Sequence, residues 1–223
     1  MEQGFDNFRS EAIPEPAGTG TEGASDGSGF WGFVRDVLET LVLAVVMFLA
    51  INAVSARIRV DGSSMYPTLQ DGQFVMVNRL AYKFGEPSHG DIVIFHYPRD
   101  PEQEFVKRII GLPGDTVEIR NGHVYVNGYQ LDEPYIADAP RSQGSWTVPE
   151  GYLFVLGDNR NNSQDSRSFG FVAMDEVIGK ALFIYWPPTD WGSVVHHDLE
   201  ASLTNPTAAP VSPTPYPTPY TVP

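Results

Sequence analysis

Leu41 to Ile51 reads LVLAVVMFLAI, an unbroken apolar run that no soluble surface helix carries. It lies between Trp31 and Val54, and counted from Val37 it covers about 18 residues, enough to cross a hydrocarbon core of roughly 30 Å as a helix. A buried core helix would show a polar stripe, and three turns here show none. A cleavable secretory signal would follow a short basic leader, whereas this leader is long and acidic, although Val54-Ser55-Ala56 does resemble a small-residue cleavage site. The expectation is one uncleaved transmembrane anchor over residues 31–56. Its orientation is not readable from charge, because Arg35 precedes the helix while Arg57 and Arg59 follow it, a bias that places the following segment inside.

The flanks have a different texture. Residues 1–30 carry Glu2, Asp6, Glu11, Glu15, Glu22 and Asp26 against Arg9, within Gly, Ser, Thr and Pro. They hold too little apolar surface to offset ordering entropy, so a disordered acidic tail is expected. Residues 198–223 are expected to form a Pro/Thr-rich disordered tail, extended and polyproline-like. With 28 acidic against 14 basic residues and lysine only at 83, 107 and 180, the chain lacks the basic stripe of a nucleic-acid binder. The absence of cysteine removes disulfides, thiolate nucleophiles and Cys-rich zinc sites.

Residues 57–197 alternate short β-branched and aromatic runs with Gly, Pro, Asn and Asp. Strands are predicted at Ile58–Val60, Phe74–Asn78, Ile92–Tyr97, Glu104–Ile110, Thr116–Arg120, His123–Val126, Leu153–Leu156 and Ala181–Trp186, with at most one short helix in the last third. Asn121-Gly122 between two alternating runs predicts a two-residue hairpin turn, and Asn127-Gly128 turns the chain again. The fold class expected is mainly β: an antiparallel β-sheet domain behind a single N-terminal transmembrane helix.

Three segments carry candidate chemistry. Gly62-Ser63-Ser64-Met65-Tyr66-Pro67-Thr68-Leu69 puts serines on a constrained loop between a strand and the Asp71-Gly72 turn; alone it reads first as a Ser-rich turn. Lys107 lies in a mostly apolar strand, where desolvation lowers an ammonium pKa; alone it reads first as a snorkelling surface lysine. Gly157 to Arg167 crowds Asp158, Arg160, Ser163, Asp165, Ser166 and Arg167 into one loop, a composition suited to an ion-pair network. Its two guanidiniums repel a cation and its spacing is not that of a calcium loop, so no metal is assigned.

Taken together and in this order, the segments resemble the type I signal peptidases, the S26-like bacterial leader peptidases with a Ser/Lys dyad. The resemblance rests on Ser-Met-x-Pro-Thr-Leu, Gly-Asp-Ile-Val-Ile-Phe (Gly90–Phe95), Lys-Arg-Ile-Ile-Gly-Leu-Pro-Gly-Asp and Gly-Asp-Asn-Arg-x-x-Ser-x-Asp-Ser-Arg, and runs from the anchor to Trp186. It implies a membrane serine endopeptidase that removes signal peptides from exported preproteins through an acyl-enzyme, without a cofactor. By the same resemblance Ser64 is the nucleophile, Lys107 the general base, Ser163 the serine that bonds and orients the lysine, Asp158 the partner of Arg108, and Asp165 with Arg167 a second structural pair.

One departure concerns the oxyanion hole. Some relatives place a serine two residues before the nucleophile; here Gly62 stands there, so the hole is assigned to backbone at Ser64 and Gly62. Val60, Met65, Ile94 and Val106 flank the dyad in sequence and are expected as walls of shallow pockets for small residues at positions −1 and −3 of the substrate. The partners implied are secretory preproteins and the lipid bilayer, with the N-terminus cytoplasmic and the catalytic domain extracytoplasmic. A Ser-His-Asp hydrolase using His89 or His96, a self-cleaving Ser/Lys repressor and an inactive tethered binding domain are the alternatives. The first lacks a Gly-x-Ser-x-Gly elbow, the second a DNA-binding head, and the third is disfavoured by an intact dyad.

Overall fold

A computed structural model of the chain describes residues 27–199 and residue 203. The expected acidic tail before residue 27, and the Pro/Thr-rich tail apart from residues 198, 199 and 203, lie outside the described residues. The chain divides into two units, Met1–Val46 and Met47–Pro223. Among the described residues the first unit is entirely helical, forming most of α1 (Gly27–Val54). Over Gly29–Val54 that helix is long and apolar enough to cross a membrane. Leu41, Leu43, Met47, Phe48 and Leu49 all stand exposed along it, the state of side chains that find their solvent in lipid.

The second unit is antiparallel β. Its strands are β1 (Ser55–Arg59), β2 (Phe74–Asn78), β3 (Ile92–Tyr97), β4 (Asp100–Gly111), β5 (Thr116–Arg120), β6 (His123–Val126), β7 (Tyr129–Gln130), β8 (Gly144–Thr147), β9 (Tyr152–Leu156), β10 (Val172–Ala173), β11 (Val177–Trp186) and β12 (Gly192–Ser193). One eight-stranded sheet runs β1-β2-β11-β3-β4-β9-β10, with β12 on β11; a second runs β7-β6-β5-β8. Two short helices complete the unit, α2 (Ala81–Phe84) and α3 (Ser166–Phe169).

Burial explains which runs became central strands. In β3 the side chains of Ile92 and Ile94 enter one core cluster, with Val60, Met65, Val75 and Val77, while Val93, Phe95 and Tyr97 enter another, with Ile109, Val155 and Phe169. A strand covered on both faces reads as continuous apolar sequence rather than as alternation. A third cluster, with Val117, Ile119, Val124, Val126, Phe154 and Leu156, joins the β5–β6 hairpin to β9. Leu199 is buried in that cluster, so the folded part runs past the residue 197 boundary expected from composition.

The hairpin forms as predicted. Arg120 faces His123 across Asn121 and Gly122, whose φ angles of 51° and 80° are those of a two-residue turn matched to strand twist. Asn127 and Gly128 repeat the device between β6 and β7. A β-branched residue at position 122 is forced into a left-handed conformation, so Gly122→Val should cost about 1–2 kcal/mol, read as a lower denaturation midpoint with an unchanged slope.

Candidate active site

The 12-residue strand β4 positions Lys107 by pairing it with Val93 of β3. The lysine is 3% exposed. Its Nζ donates to Ser64 Oγ at 2.7 Å and to the Val106 carbonyl at 2.8 Å, and lies 5.1 Å from the Phe105 ring centre. Desolvation disfavours the ammonium form and pushes the pKa down to about 8; the carboxylates of Asp165 and Asp158 act against the shift without cancelling it. The surface-lysine alternative is thereby excluded.

Ser64 sits on the loop between β1 and β2, which is pinned by groups from the loop after β9. Asn159 donates its N–H to the Ser64 carbonyl at 3.0 Å and its Nδ2 to the Ser63 carbonyl at 3.0 Å, while Asn162 Nδ2 donates to Ser63 Oγ at 2.9 Å. Met65 and Leu69, both fully buried, root the loop in the core. The Ser64 hydroxyl on this pinned loop accepts from the lysine.

The two expected ion pairs form. Arg108 Nε donates to Asp158 Oδ1 at 2.9 Å and its second terminal nitrogen to Oδ2 at 2.7 Å, with both side chains fully buried. Thr68 Oγ1 donates to the same Asp158 Oδ2 at 2.6 Å, tying the serine loop to the pair, and Arg108 also reaches the Gly90 carbonyl at 2.8 Å. Arg167 grips Asp165 at 2.8 and 2.7 Å, and Asp165 in turn caps α3 and accepts the Gly157 N–H. Arg160 forms a third such fork with Glu133, at 3.0 and 2.6 Å.

Three assignments are corrected. Ser163 makes no hydrogen bond to Lys107: its buried Oγ has no partner, and it lies over Gly157, close to where a Cβ there would stand. Gly62 does not offer its N–H to a substrate oxygen, because Asp71 Oδ1 takes it at 2.7 Å; among the described residues the Ser64 N–H has no such partner. Of the four expected pocket walls only Val106 lines the cleft, while Val60, Met65 and Ile94 are core residues at 2%, 0% and 0% exposure. Alternation along β3 puts Ile94 on the face that packs in the same cluster as Val60, Met65 and Val106, and of these Val106 also reaches the cleft.

The cleft beside the pair encloses about 470 Å³ and is lined by Asp61, Ser64, Gln103, Glu104, Phe105, Val106, Lys107 and Gln164. No histidine faces it. His89 is bound to Asp115 at 2.7 Å and His96 to the Pro101 carbonyl at 2.9 Å. Sequence reading had no role for Asn159, Asn162 or Thr68, although Asn159 and Thr68 stood inside the quoted motifs. Glu133 left no local signal, since its partner is Arg160, far along the chain.

The site thus holds a buried lysine of lowered pKa in contact with a serine hydroxyl, on a β scaffold. The family model described as signal peptidase, peptidase S26, matches residues 34–186. The chain belongs to this family, and is a peptidase. It is 40% identical over 173 residues to the probable signal peptidase I-1 of Synechocystis, covering 74% of this chain and 88% of that protein. It is 43% identical over 143 residues to signal peptidase I of Bacillus caldolyticus, covering 57% and 78%, and 37% identical over 170 residues to signal peptidase IB of Staphylococcus aureus, covering 68% and 88%. A crystal structure of a signal peptidase I from Enterococcus faecalis is 42% identical, with a TM-score of 0.40 over 43% of this chain and 96% of that one.

Removing the Asp158 carboxylate leaves the Arg108 guanidinium buried and unpaired. Asp158→Ala should therefore destabilise the domain by roughly 3–5 kcal/mol, measured by chemical denaturation, whereas a surface acid such as Glu102 should be replaceable at little cost.

Proposed function

We propose that the protein is a membrane-anchored serine endopeptidase that removes N-terminal signal peptides from exported preproteins, with Ser64 as nucleophile and Lys107 as general base. The observation that carries this reading is the 2.7 Å contact between a serine hydroxyl and a lysine whose burial holds its pKa near 8. With the amine neutral, the contact reverses: Ser64 Oγ–H donates to Nζ, and the oxygen gains the electron density to attack a peptide carbonyl. The acyl-enzyme forms as the ammonium passes its proton to the leaving amine, and a water activated by the same lysine releases the new carboxylate.

The Ser64 N–H is the donor assigned to the oxyanion, since the neighbouring Gly62 N–H is occupied. Substrate is taken to bind as an extended strand. Between Glu104 and Lys107, β4 pairs with β3 alone, and β9 joins it only from Arg108 onward, which leaves an open edge beside the cleft. Small residues at −1 and −3 are the specificity that the family relationship implies. Val106 is the wall assigned to that selection. The lysine-positioning role assigned to Ser163 is replaced by direct bonding of Nζ to the Val106 carbonyl, with the Asp158–Arg108 and Asp165–Arg167 pairs holding the surrounding loop.

Anchoring by α1 with the N-terminus cytoplasmic puts the β unit on the face where exported chains emerge. Trp186 and Trp191, both exposed, are suited to the headgroup layer. The reading as a domain arrangement is an anchor followed by a catalytic β unit. Protease protection of the β unit in sealed right-side-out membranes would overturn the orientation.

The decisive experiment is cleavage of a preprotein bearing Ala-x-Ala by the full chain in detergent. Ser64→Ala and Lys107→Met should each lower turnover more than about a thousandfold while leaving the fold intact; sustained turnover by Lys107→Met would remove the lysine from the mechanism. A base works only when deprotonated, so the single-turnover rate should rise with pH through about 8 and level off above it. A limb centred in the histidine range would contradict this.

A further inference from the structure

Arg57 and Arg59 follow the anchor in a chain with twice as many acidic as basic residues, and the candidate active site gives neither a task. Arg59 leans on Asp61 at 3.5 Å. Arg57 stands exposed on β1, and the fold brings two more cations close to it, Arg79 directly after β2 and Lys83 on α2, both exposed. Among the described residues no side-chain partner engages any of these three. The nearest acid along the turn is Glu86, so the group carries an excess of positive charge on an otherwise acidic chain.

Backbone bonds hold these cations at the foot of the anchor. Val54 is the last residue of α1, and its carbonyl accepts the Arg79 N–H at 3.0 Å. Ser55 and Arg57 pair with Asn78 and Met76 of β2. Asn78 Oδ1 accepts the Leu80 N–H at 2.9 Å, and the Leu80 carbonyl accepts the Lys83 N–H at 3.1 Å, which closes the turn of α2. At the rise of a strand, Arg57 lies no more than about 10 Å beyond Val54, the depth at which a headgroup layer follows the hydrocarbon core. Tyr82 roots the turn inward by donating to Asp91 Oδ2 at 2.9 Å. Phe84 is left pointing outward at 87% exposure, more than any other large apolar side chain among the described residues. An apolar ring flanked by unpaired cations is the pattern of an interfacial contact, in which the ring sits below the phosphates and the cations among them.

We propose that Arg57, Arg79, Lys83 and Phe84 form a docking surface for an anionic lipid leaflet beside the anchor. It rests on the anchoring part of the proposed function and not on the peptidase chemistry. The partner is lipid rather than an acidic protein, because the group begins at the residue where the apolar helix ends, and the first anions met at that level are headgroup phosphates. Near an anionic surface each basic residue strengthens binding about fivefold, so three of them decide whether the turn rests on lipid or stays in water. The contact serves the chain in either orientation, since it needs only an anionic leaflet on the side of the β unit. It also gives a use to arginines that stand after the helix, where a count of charge across the membrane explains them only if the β unit is cytoplasmic.

The chain has no cysteine, so one introduced thiol carries a fluorophore at a known place. Full-length Phe84→Cys, labelled with an environment-sensitive dye, is put into nanodiscs of phosphatidylcholine alone or mixed with phosphatidylglycerol, each containing lipid spin-labelled near the headgroup as quencher. Ser145→Cys, exposed on β8, and Leu43→Cys, within α1, are labelled as references. In anionic discs the dye at 84 should be quenched about twofold or more beyond the dye at 145. That excess should fall by about half or more in neutral discs, in 1 M salt, where the screening length is about 3 Å, and on combining Arg57→Gln, Arg79→Gln and Lys83→Gln. In the unlabelled wild type, deuterium uptake over residues 79–86 should be slower in anionic than in neutral discs. Equal quenching at 84 and 145 would overturn the inference; so would an excess that neutral lipid, salt or the triple substitution leaves unchanged, or equal uptake in the two lipids. A dye at 43 that lipid does not quench would instead overturn the anchoring.

Discussion

The buried fork between Arg108 and Asp158 is the constraint on which the site is built. It ties the residue after Lys107, on β4, to the loop after β9, and through Thr68 to the loop that carries Ser64. Three segments distant in sequence thereby share one carboxylate. A buried pair of this kind adds little net stability over an apolar substitute, because desolvation of both charges nearly offsets their attraction. What it supplies here is registry: the fork admits one geometry, and that geometry sets the serine against the lysine.

The same arrangement sets the electrostatic balance at Lys107. Burial pulls its pKa down, while Asp158 and Asp165 pull it up, and burial wins. Desolvation is the larger effect, and both carboxylates are themselves paired, Asp158 with Arg108 and Asp165 with Arg167. Had either arginine been absent, an unneutralised carboxylate near the amine would hold the lysine charged and unfit to act as a base. Arg108, next to Lys107 on β4, and Arg167, on α3, thus stand as the partners of the two carboxylates nearest the proposed base.

Much of this was legible in the sequence. The bounds of β2, β3, β5 and β6 follow from apolar runs closed by Asn, Gly and Asp, because those punctuators act locally. β1 was misplaced: Ser55-Ala56 looked like the end of the anchor and the strand was expected at Ile58–Val60, whereas pairing with β2 makes Ser55–Arg59 the strand. The two-residue strands β7, β10 and β12 were invisible for the same reason, since such ladders exist only where a partner arrives. At the site, the Asp158–Arg108 and Asp165–Arg167 pairs and the closeness of Ser64 to Lys107 followed from motifs. The occupation of Gly62 by Asp71, and the hydroxyl of Ser163 resting over Gly157, did not, because single hydrogen bonds between loops leave no periodic trace.

The junction between α1 and β1 shows how one stretch of sequence is given two meanings. As sequence, Val54-Ser55-Ala56 resembles a small-residue cleavage site; as structure, it is the place where a helix becomes a strand. The apolar helix hands over to a β edge here through small and β-branched residues, and Ala56 packs against the core. Its small side chain fits beside Val60, Val75 and Val77. What makes the stretch a strand rather than a continuation of the helix is the ladder between β1 and β2, which is formed by residues distant in sequence.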